Sequence, residues 1–283
     1  MARDRWKKPA HEVLRVTEGL RLEDFDPTGT PGWKGGANAA AKHMAEQGAA
    51  LADLQERLYA DGRSGGSRSV LLVLQGMDTA GKSGTVSHVV GMVDPQGVQL
   101  RAFAVPTPQE LKHHYLWRVR RALPKPGYLG VFDRSHYEDV LVVRVHELVP
   151  EAVWSKRYDE INAFEAKVVA TGTVIVKVAF IITLDEQKKR LGARLKNPAK
   201  FWKYKPSDLE ERTLWPAYRD AYQAVFEKTS TDVAPWHVIP ANKKWFSRMA
   251  VTELLLEAFE NLDLGWPPAA FDVETEKARL AGA

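Results

Sequence analysis

Gly76-Met77-Asp78-Thr79-Ala80-Gly81-Lys82-Ser83 is the stretch on which the reading of this chain turns. It satisfies G-x-x-x-x-G-K-[ST] at every fixed position. A chain of this length and average composition shows that pattern by chance roughly once in a hundred, so the flanks decide. Ser69–Gln75 precedes it, with Val70, Leu71, Leu72, Val73 and Leu74 in an unbroken apolar run. Such a run suits a strand buried on both faces of a parallel sheet. A helical pattern follows from Lys82 to about Met92. Strand, glycine loop and helix is the context a phosphate-binding loop requires. Gly76 and Gly81 let the backbone curl so that successive N–H groups face phosphate oxygens. The start of the helix adds its dipole. Thr79, Ala80 and Gly84 belong to the same cradle, Lys82 supplies a point charge, and the Ser83 hydroxyl is a candidate magnesium ligand. Asp78 is unusual, because a carboxylate inside the loop repels phosphate unless it holds a metal ion or positions an acceptor.

Outward from the loop, the pattern alternates. Strands are expected at Val98–Val105, Leu129–Asp133, Val174–Thr183 and Trp236–Pro240. Helices are expected over Asn38–Tyr59, Pro108–Leu123, Val153–Val169, Glu186–Thr229 (interrupted at Asn197-Pro198 and Lys205-Pro206) and Phe246–Leu262. Strands alternating with helices predict an α/β fold, with ligands at the carboxyl ends of the strands. Residues 1–45 read as a peripheral N-terminal arm, 46–265 as the phosphotransferase domain and 266–283 as a C-terminal tail. The third strand ends in Asp133, as in a Walker B element whose carboxylate holds Mg²⁺ directly or through water. Arg134 and Ser135-His136-Tyr137-Glu138-Asp139 follow, a dense polar cluster before the apolar Val140–Val143.

The totals exclude several classes. Of 283 residues, 45% are hydrophobic and 27% charged, so the chain is neither disordered nor collagen-like. With no cysteine there is no disulfide framework, thiolate zinc site or thiol nucleophile. No apolar run approaches the roughly 20 residues of a bilayer span. The basic N-terminus lacks an apolar segment directly after it, so it is no secretory signal, and the cytoplasm is the expected location. Net charge is only +4, but residues 112–134 carry +5 and residues 188–212 carry +6. Two concentrated cationic segments beside a phosphate loop point to a polyanionic ligand.

Leu74–Thr85, Pro106-Thr107, Tyr115-Leu116-Trp117-Arg118 and Phe132–Val145 together resemble the polyphosphate kinase 2 family. The likeness continues through Ile161–Glu165, Asp185-Glu186-Gln187, Trp202-Lys203-Tyr204 and Trp236–Lys243, covering about residues 15–262. The resemblance implies a P-loop kinase-like three-layer αβα sandwich, with a parallel sheet of about five strands and a helical lid at about 186–229. It implies phosphoryl transfer from inorganic polyphosphate to a nucleoside diphosphate or monophosphate (ADP to ATP, AMP to ADP). It also implies Mg²⁺, with Mn²⁺ as the alternative ion, and a homodimer or homotetramer. By resemblance Asp78 and Asp133 act at the metal and the acceptor phosphate. Lys82, Arg134, Arg190 and Arg194 grip polyphosphate, with Arg118 a further candidate. Glu138 stands where the branch accepting both AMP and ADP carries Glu. Two positions depart from the pattern: Ser83 replaces the Asp or Gly of many members, and position 133 varies between Asp and Asn.

Two other readings remain at this point. An ATP-dependent kinase of a small molecule would use the same loop. A nucleic-acid binder would use the basic segments, although Asp78 and Asp133 would repel a phosphodiester backbone and no nucleic acid or membrane partner is expected. His113, His114 and His136 are not required as phosphoryl carriers, and Trp202, Tyr204 and Trp215 are expected to pack rather than stack on a base.

Overall fold

The structure, a computed structural model, describes residues 5–283. Met1–Asp4, part of the basic N-terminus, lie outside the described residues. Strands β1 (Ser69–Gly76), β2 (Val98–Ala102), β3 (Leu129–Asp133), β4 (Thr173–Ile181) and β5 (Trp236–Pro240) form one parallel sheet in the order β2-β3-β1-β4-β5. β1 lies at its centre, and its burial on both faces explains the unbroken apolar run. Val70, Leu72 and Leu74 point into one core layer while Leu71 and Val73 point into the other. The first layer is closed by helices α1 (Ala37–Arg63) and α6 (Lys244–Glu260), through residues such as Leu51, Leu58, Met249 and Phe259. The second is closed by α3 (Arg157–Ala170) and α5 (Trp215–Thr229), through Ile161, Phe164, Val225 and Phe226. This is the expected P-loop kinase-like three-layer αβα sandwich. Neighbouring strands β1 and β3 are reached by connections running to opposite sides, so their carboxyl ends open a crevice.

The helices depart from the sequence pattern in instructive ways. After the loop, α2 covers only Lys82–His88 and a tighter 3₁₀ turn continues to Met92. The helix expected over Pro108–Leu123 is reduced to a 3₁₀ turn at Glu110–Lys112 and five residues at Leu116–Arg120. Thr107 and Glu110 cap each other there, N–H to carboxylate at 2.9 Å and N–H to hydroxyl at 3.2 Å, which closes a local turn instead of starting a long helix. The long basic region divides into α4 (Leu184–Leu195), short turns over 198–214 and α5, broken where Pro198 and Pro206 cannot donate.

Residues 5–36 are not peripheral in packing. Trp6 and Trp33 are buried, edge to face at 5.8 Å, and Trp6 meets Phe246 at 6.2 Å. Val16 N–H donates to Trp236 O at 2.8 Å and Arg15 bridges His237, so the arm covers the open edge of β5. Among the tail residues, the helix Val273–Ala281 buries no side chain. No helix among the described residues is long and apolar enough to cross a membrane.

Candidate active site

The loop leaves β1 at Gly76 with φ 149°, where an added Cβ would stand 2.9 Å from the Phe180 carbonyl oxygen. Gly81 has φ 134°. Thr79 is also in the left-handed region, at φ 66°, which is strained for a side chain branched at Cβ. Its hydroxyl is buried and has no hydrogen-bond partner. The surrounding protein over-determines this backbone. Gln187 on α4 donates to Asp78 O at 3.2 Å, and one turn later Arg190 donates to Thr79 O at 2.8 Å and Ala80 O at 3.0 Å. Arg190 also reaches the Ala241 and Asn242 carbonyls and pairs with Glu186 at 2.7 Å. All five of its N–H groups are occupied, so Arg190 bolts the loop to α4 and to the end of β5. Lys82 is buried and folds back onto Gly76 O and, at 3.3 Å, Met77 O.

β3 delivers the second half of the site. Arg134 N–H donates to Leu74 O at 3.0 Å, which fastens the end of β3 beside the loop. Arg134 takes φ 65°, so the chain turns sharply and its guanidinium reaches back to Asp78 at 2.9 Å. Glu138 stands behind it at 3.9 Å, so Arg134 is flanked by two carboxylates. Burial pushes the Asp78 carboxyl upward, but the charges of Lys82 and Arg134 outweigh it and hold it below its ordinary value. For Glu138 burial wins over Arg134 and Lys82, and its carboxyl is held above the usual range. Burial likewise lowers Lys82 against the pull of nearby carboxylates, Asp78 and Asp133 among them.

Asp78, Lys82, Asp133 and Arg134 face one cavity of about 470 Å³, whereas Glu138 does not line it and stays behind Arg134. The loop residues Asp78–Gly84 line it together with Asp133, Arg134, Arg190 and Arg194. Four further cations stand on its wall that the sequence did not single out: Lys200 and Lys203, inside the basic 188–212 segment, and Lys244 and Arg248 from the first turns of α6. Eight Lys and Arg side chains therefore face two carboxylates. Lys244 and Arg248 left a trace in the sequence, since cations at a helix N-terminus oppose its dipole unless an anion sits between them. Arg194 bonds Lys203 O at 2.7 Å and Asp208 at 3.4 Å, which ties the short turns after α4 back to it. Arg118 is not brought to this cavity. It donates to Ala104 O at 2.9 Å, lies over the Phe103 ring and lines a separate groove beside β2. Trp202 does not pack as expected; it is 76% exposed, with Lys203 over its ring.

Among the described residues no group of three or more His, Asp or Glu side chains is placed to hold a metal ion alone. Asp78 and Asp133 nonetheless open onto the same cavity. Two hard carboxylates facing a cationic hollow fit an ion such as Mg²⁺, which keeps waters and completes its shell with substrate phosphate. The arrangement as a whole can hold a highly charged phosphate chain, neutralise it, and keep a second anion in contact with it.

The comparisons with known proteins agree with this geometry. The family description Polyphosphate kinase 2 matches residues 36–264. An AMP/ADP-polyphosphate phosphotransferase of Meiothermus ruber is 48% identical over 248 residues, 88% of this chain and 91% of that protein. An ADP-polyphosphate phosphotransferase of Rhodopseudomonas palustris is 43% identical over 229 residues, 77% and 78% of the two chains. The crystal structure of Polyphosphate Kinase 2 from Arthrobacter aurescens TC1 superposes with a TM-score of 0.96 at 53% identity, covering 98% of each chain. With the loop, the Asp133–Glu138 turn and the cationic wall all falling inside the matched region, the chain belongs to the polyphosphate kinase 2 family.

Proposed function

We propose that this protein transfers the terminal phosphoryl group of inorganic polyphosphate to a nucleoside diphosphate and to a nucleoside monophosphate, making ATP from ADP and ADP from AMP. The observation that carries the reading is the cavity with eight cationic side chains against two carboxylates. A nucleoside triphosphate brings about four negative charges, whereas a polyphosphate chain brings about one per phosphate along its length. The cations beyond the loop, from the lid segment and α6, suit the longer donor. The names of the relatives support the same donor, and none of those cited is an ATP-dependent kinase of a small molecule.

In this reading the loop N–H groups and Lys82 hold the terminal phosphates of the donor. Lys82 leaves the Gly76 and Met77 carbonyls to do so. Arg134, flanked by Asp78 and Glu138, meets the transferring group and stabilises its spread charge. The acceptor phosphate is ionised near neutral pH, so no general base and no phosphohistidine are needed. Asp78 and Asp133 would hold Mg²⁺, or Mn²⁺ in its place, and the ion supplies charge neutralisation between donor and acceptor phosphates. Arg194, Lys200 and Lys203 close over the donor chain as a lid. Glu138 favours use of AMP as well as ADP. A cytoplasmic homodimer or homotetramer, with neither nucleic acid nor membrane as partner, completes the proposal.

The test is a substrate panel with Mg²⁺, offering AMP and ADP separately, each with polyphosphate and without it. Product from both acceptors only when polyphosphate is present is the expected result. No product from either, with ATP consumed in the presence of another acceptor, overturns the donor assignment.

A further inference from the structure

Behind the Asp133–Glu138 turn lies a polar cluster that the phosphoryl-transfer chemistry does not use. Lys177, in the middle of β4, is fully buried, as is Glu165 on α3. Lys177 Nζ donates to Glu165 Oε2 at 2.6 Å, to the Tyr137 hydroxyl at 2.8 Å and to Thr229 O at 2.8 Å, so its three protons are all taken. Glu165 Oε1 accepts from the Tyr137 hydroxyl at 2.9 Å and from His136 Nε2 at 3.1 Å. Trp236 packs edge to face on Tyr137 at 4.7 Å and closes the cluster from β5.

A buried Lys–Glu pair is a poor source of stability, because apolar residues of the same volume fold as well or better. What it supplies is a fixed set of directions. Here three of the bonds, Lys177 to Tyr137 and Glu165 to Tyr137 and His136, end on the turn that carries Arg134 and Glu138, while Lys177 also ties in the end of α5 at Thr229. Residues 136 and 137 point back into the cluster, while Glu138, the next residue, points the other way to Arg134 at 3.9 Å. Ser135 is held from the same side, its hydroxyl receiving Gln75 Nε2 at 3.0 Å and Tyr137 N–H at 3.2 Å. The turn needs such an anchor, since Arg134 at φ 65° is in a conformation its own preferences disfavour.

We infer that Lys177 and Glu165 are positioning residues for phosphoryl transfer: through Tyr137 and His136 they set Glu138 against Arg134. They touch no substrate. The inference rests on the polyphosphate-dependent reading above.

Tyr137→Phe removes only the hydroxyl that joins the turn to both charged groups, and Lys177→Met/Glu165→Gln neutralises the pair while leaving Glu165→Gln an acceptor. Each is measured with polyphosphate and ADP, in the wild-type background and in Glu138→Gln, at a temperature where circular dichroism shows full folding. In the wild-type background kcat is expected to fall roughly tenfold or more, as small misplacements of reacting groups do, with KM for polyphosphate unchanged. In Glu138→Gln the same changes are expected to cost less than about twofold, because they act through that carboxylate. A purely structural cluster would lower activity by the same factor in both backgrounds, and that result overturns the inference, as does an undiminished kcat in either folded variant. Absence of turnover by the wild-type protein would sink the reading of its function instead.

Discussion

Asp78→Asn separates the ion pair that Asp78 makes with Arg134 from the role proposed for it at the reacting phosphates. Asp78 pairs with Arg134 at 2.9 Å, with side chains 32% and 38% exposed. A pair this open to water contributes only about 1 kcal/mol or less to stability. For a chain of this size that is a shift of roughly 2 °C in Tm. Its place at the cavity is worth more. Removing a charged group that acts on the transferring phosphoryl group or its metal costs about 3–4 kcal/mol, or 100- to 1,000-fold in kcat. Lost negative charge in a cavity already rich in cations also leaves polyphosphate binding as tight as before, so KM for polyphosphate does not rise. The assay is steady-state ATP formation from ADP with polyphosphate and Mg²⁺ varied independently, beside a thermal melt. The amide of Asp78→Asn is isosteric with the carboxylate and keeps the loop, so a large fall in Tm would show that Asp78 builds the fold. A kcat within tenfold of wild type would refute its placement at the reacting phosphates.

Three further outcomes follow from the geometry. Glu138 has a carboxyl held above its ordinary value by burial, so its stabilising contribution is present in acid and is lost as pH rises through the raised value; Glu138→Gln should therefore melt higher than wild type at pH 7.5, with the gap closing near pH 4, and should lose turnover of AMP more than of ADP. Burial lowers the His237 imidazole to about 4, so the folded protein resists its protonation and loses stability as pH falls below the unfolded value near 6.5; about 2 kcal/mol at pH 5 follows from the proton linkage, and a His237→Gln variant should lose less of its Tm between pH 7 and pH 5 than wild type does. Gly76→Ala forces a Cβ to 2.9 Å from Phe180 O at φ 149°, and should lower Tm by roughly 4 °C or more while reducing activity, a double loss that Gly91→Ala, with open space around its Cβ position, should not show.

The sheet was legible because its signals are local. Leu129–Asp133 and Trp236–Pro240 are bounded as the apolar runs predict, and the loop's spacing together with its flanks places Met77–Gly81 between β1 and α2. The Val98–Val105 run stops at Ala102 because β2 is an edge strand with exposed residues, paired on one side only. What escaped was set by contacts distant in sequence. Nothing local reveals that Trp6 finds Trp33 and Phe246, so the arm reads as peripheral. Arg190 and Arg194 share a helix face and look equivalent, yet Arg190 is filled by carbonyls of the loop and of Ala241 and Asn242, while Arg194 holds Lys203 and Asp208. Arg118 and Arg121 belong to the basic segment 112–134 but line a groove beside β2, while Arg134 of the same segment reaches the loop. Lys244 and Arg248 left only the trace of a cationic helix start, which reads as surface until the opposite wall is in place. The pair Lys177–Glu165 gave no sign at all, since a single Lys inside an apolar strand does not say which acid it will meet.

The central claim is that the phosphoryl group comes from polyphosphate. ³¹P nuclear magnetic resonance of one sample holding the protein, Mg²⁺, polyphosphate and ADP follows donor and product together. The account predicts that nucleotide γ-phosphate signal grows in step with the shortening of the polyphosphate chain, without release of an equal amount of orthophosphate. Polyphosphate that stays intact, or is lost only as orthophosphate while ADP is unchanged, would contradict it.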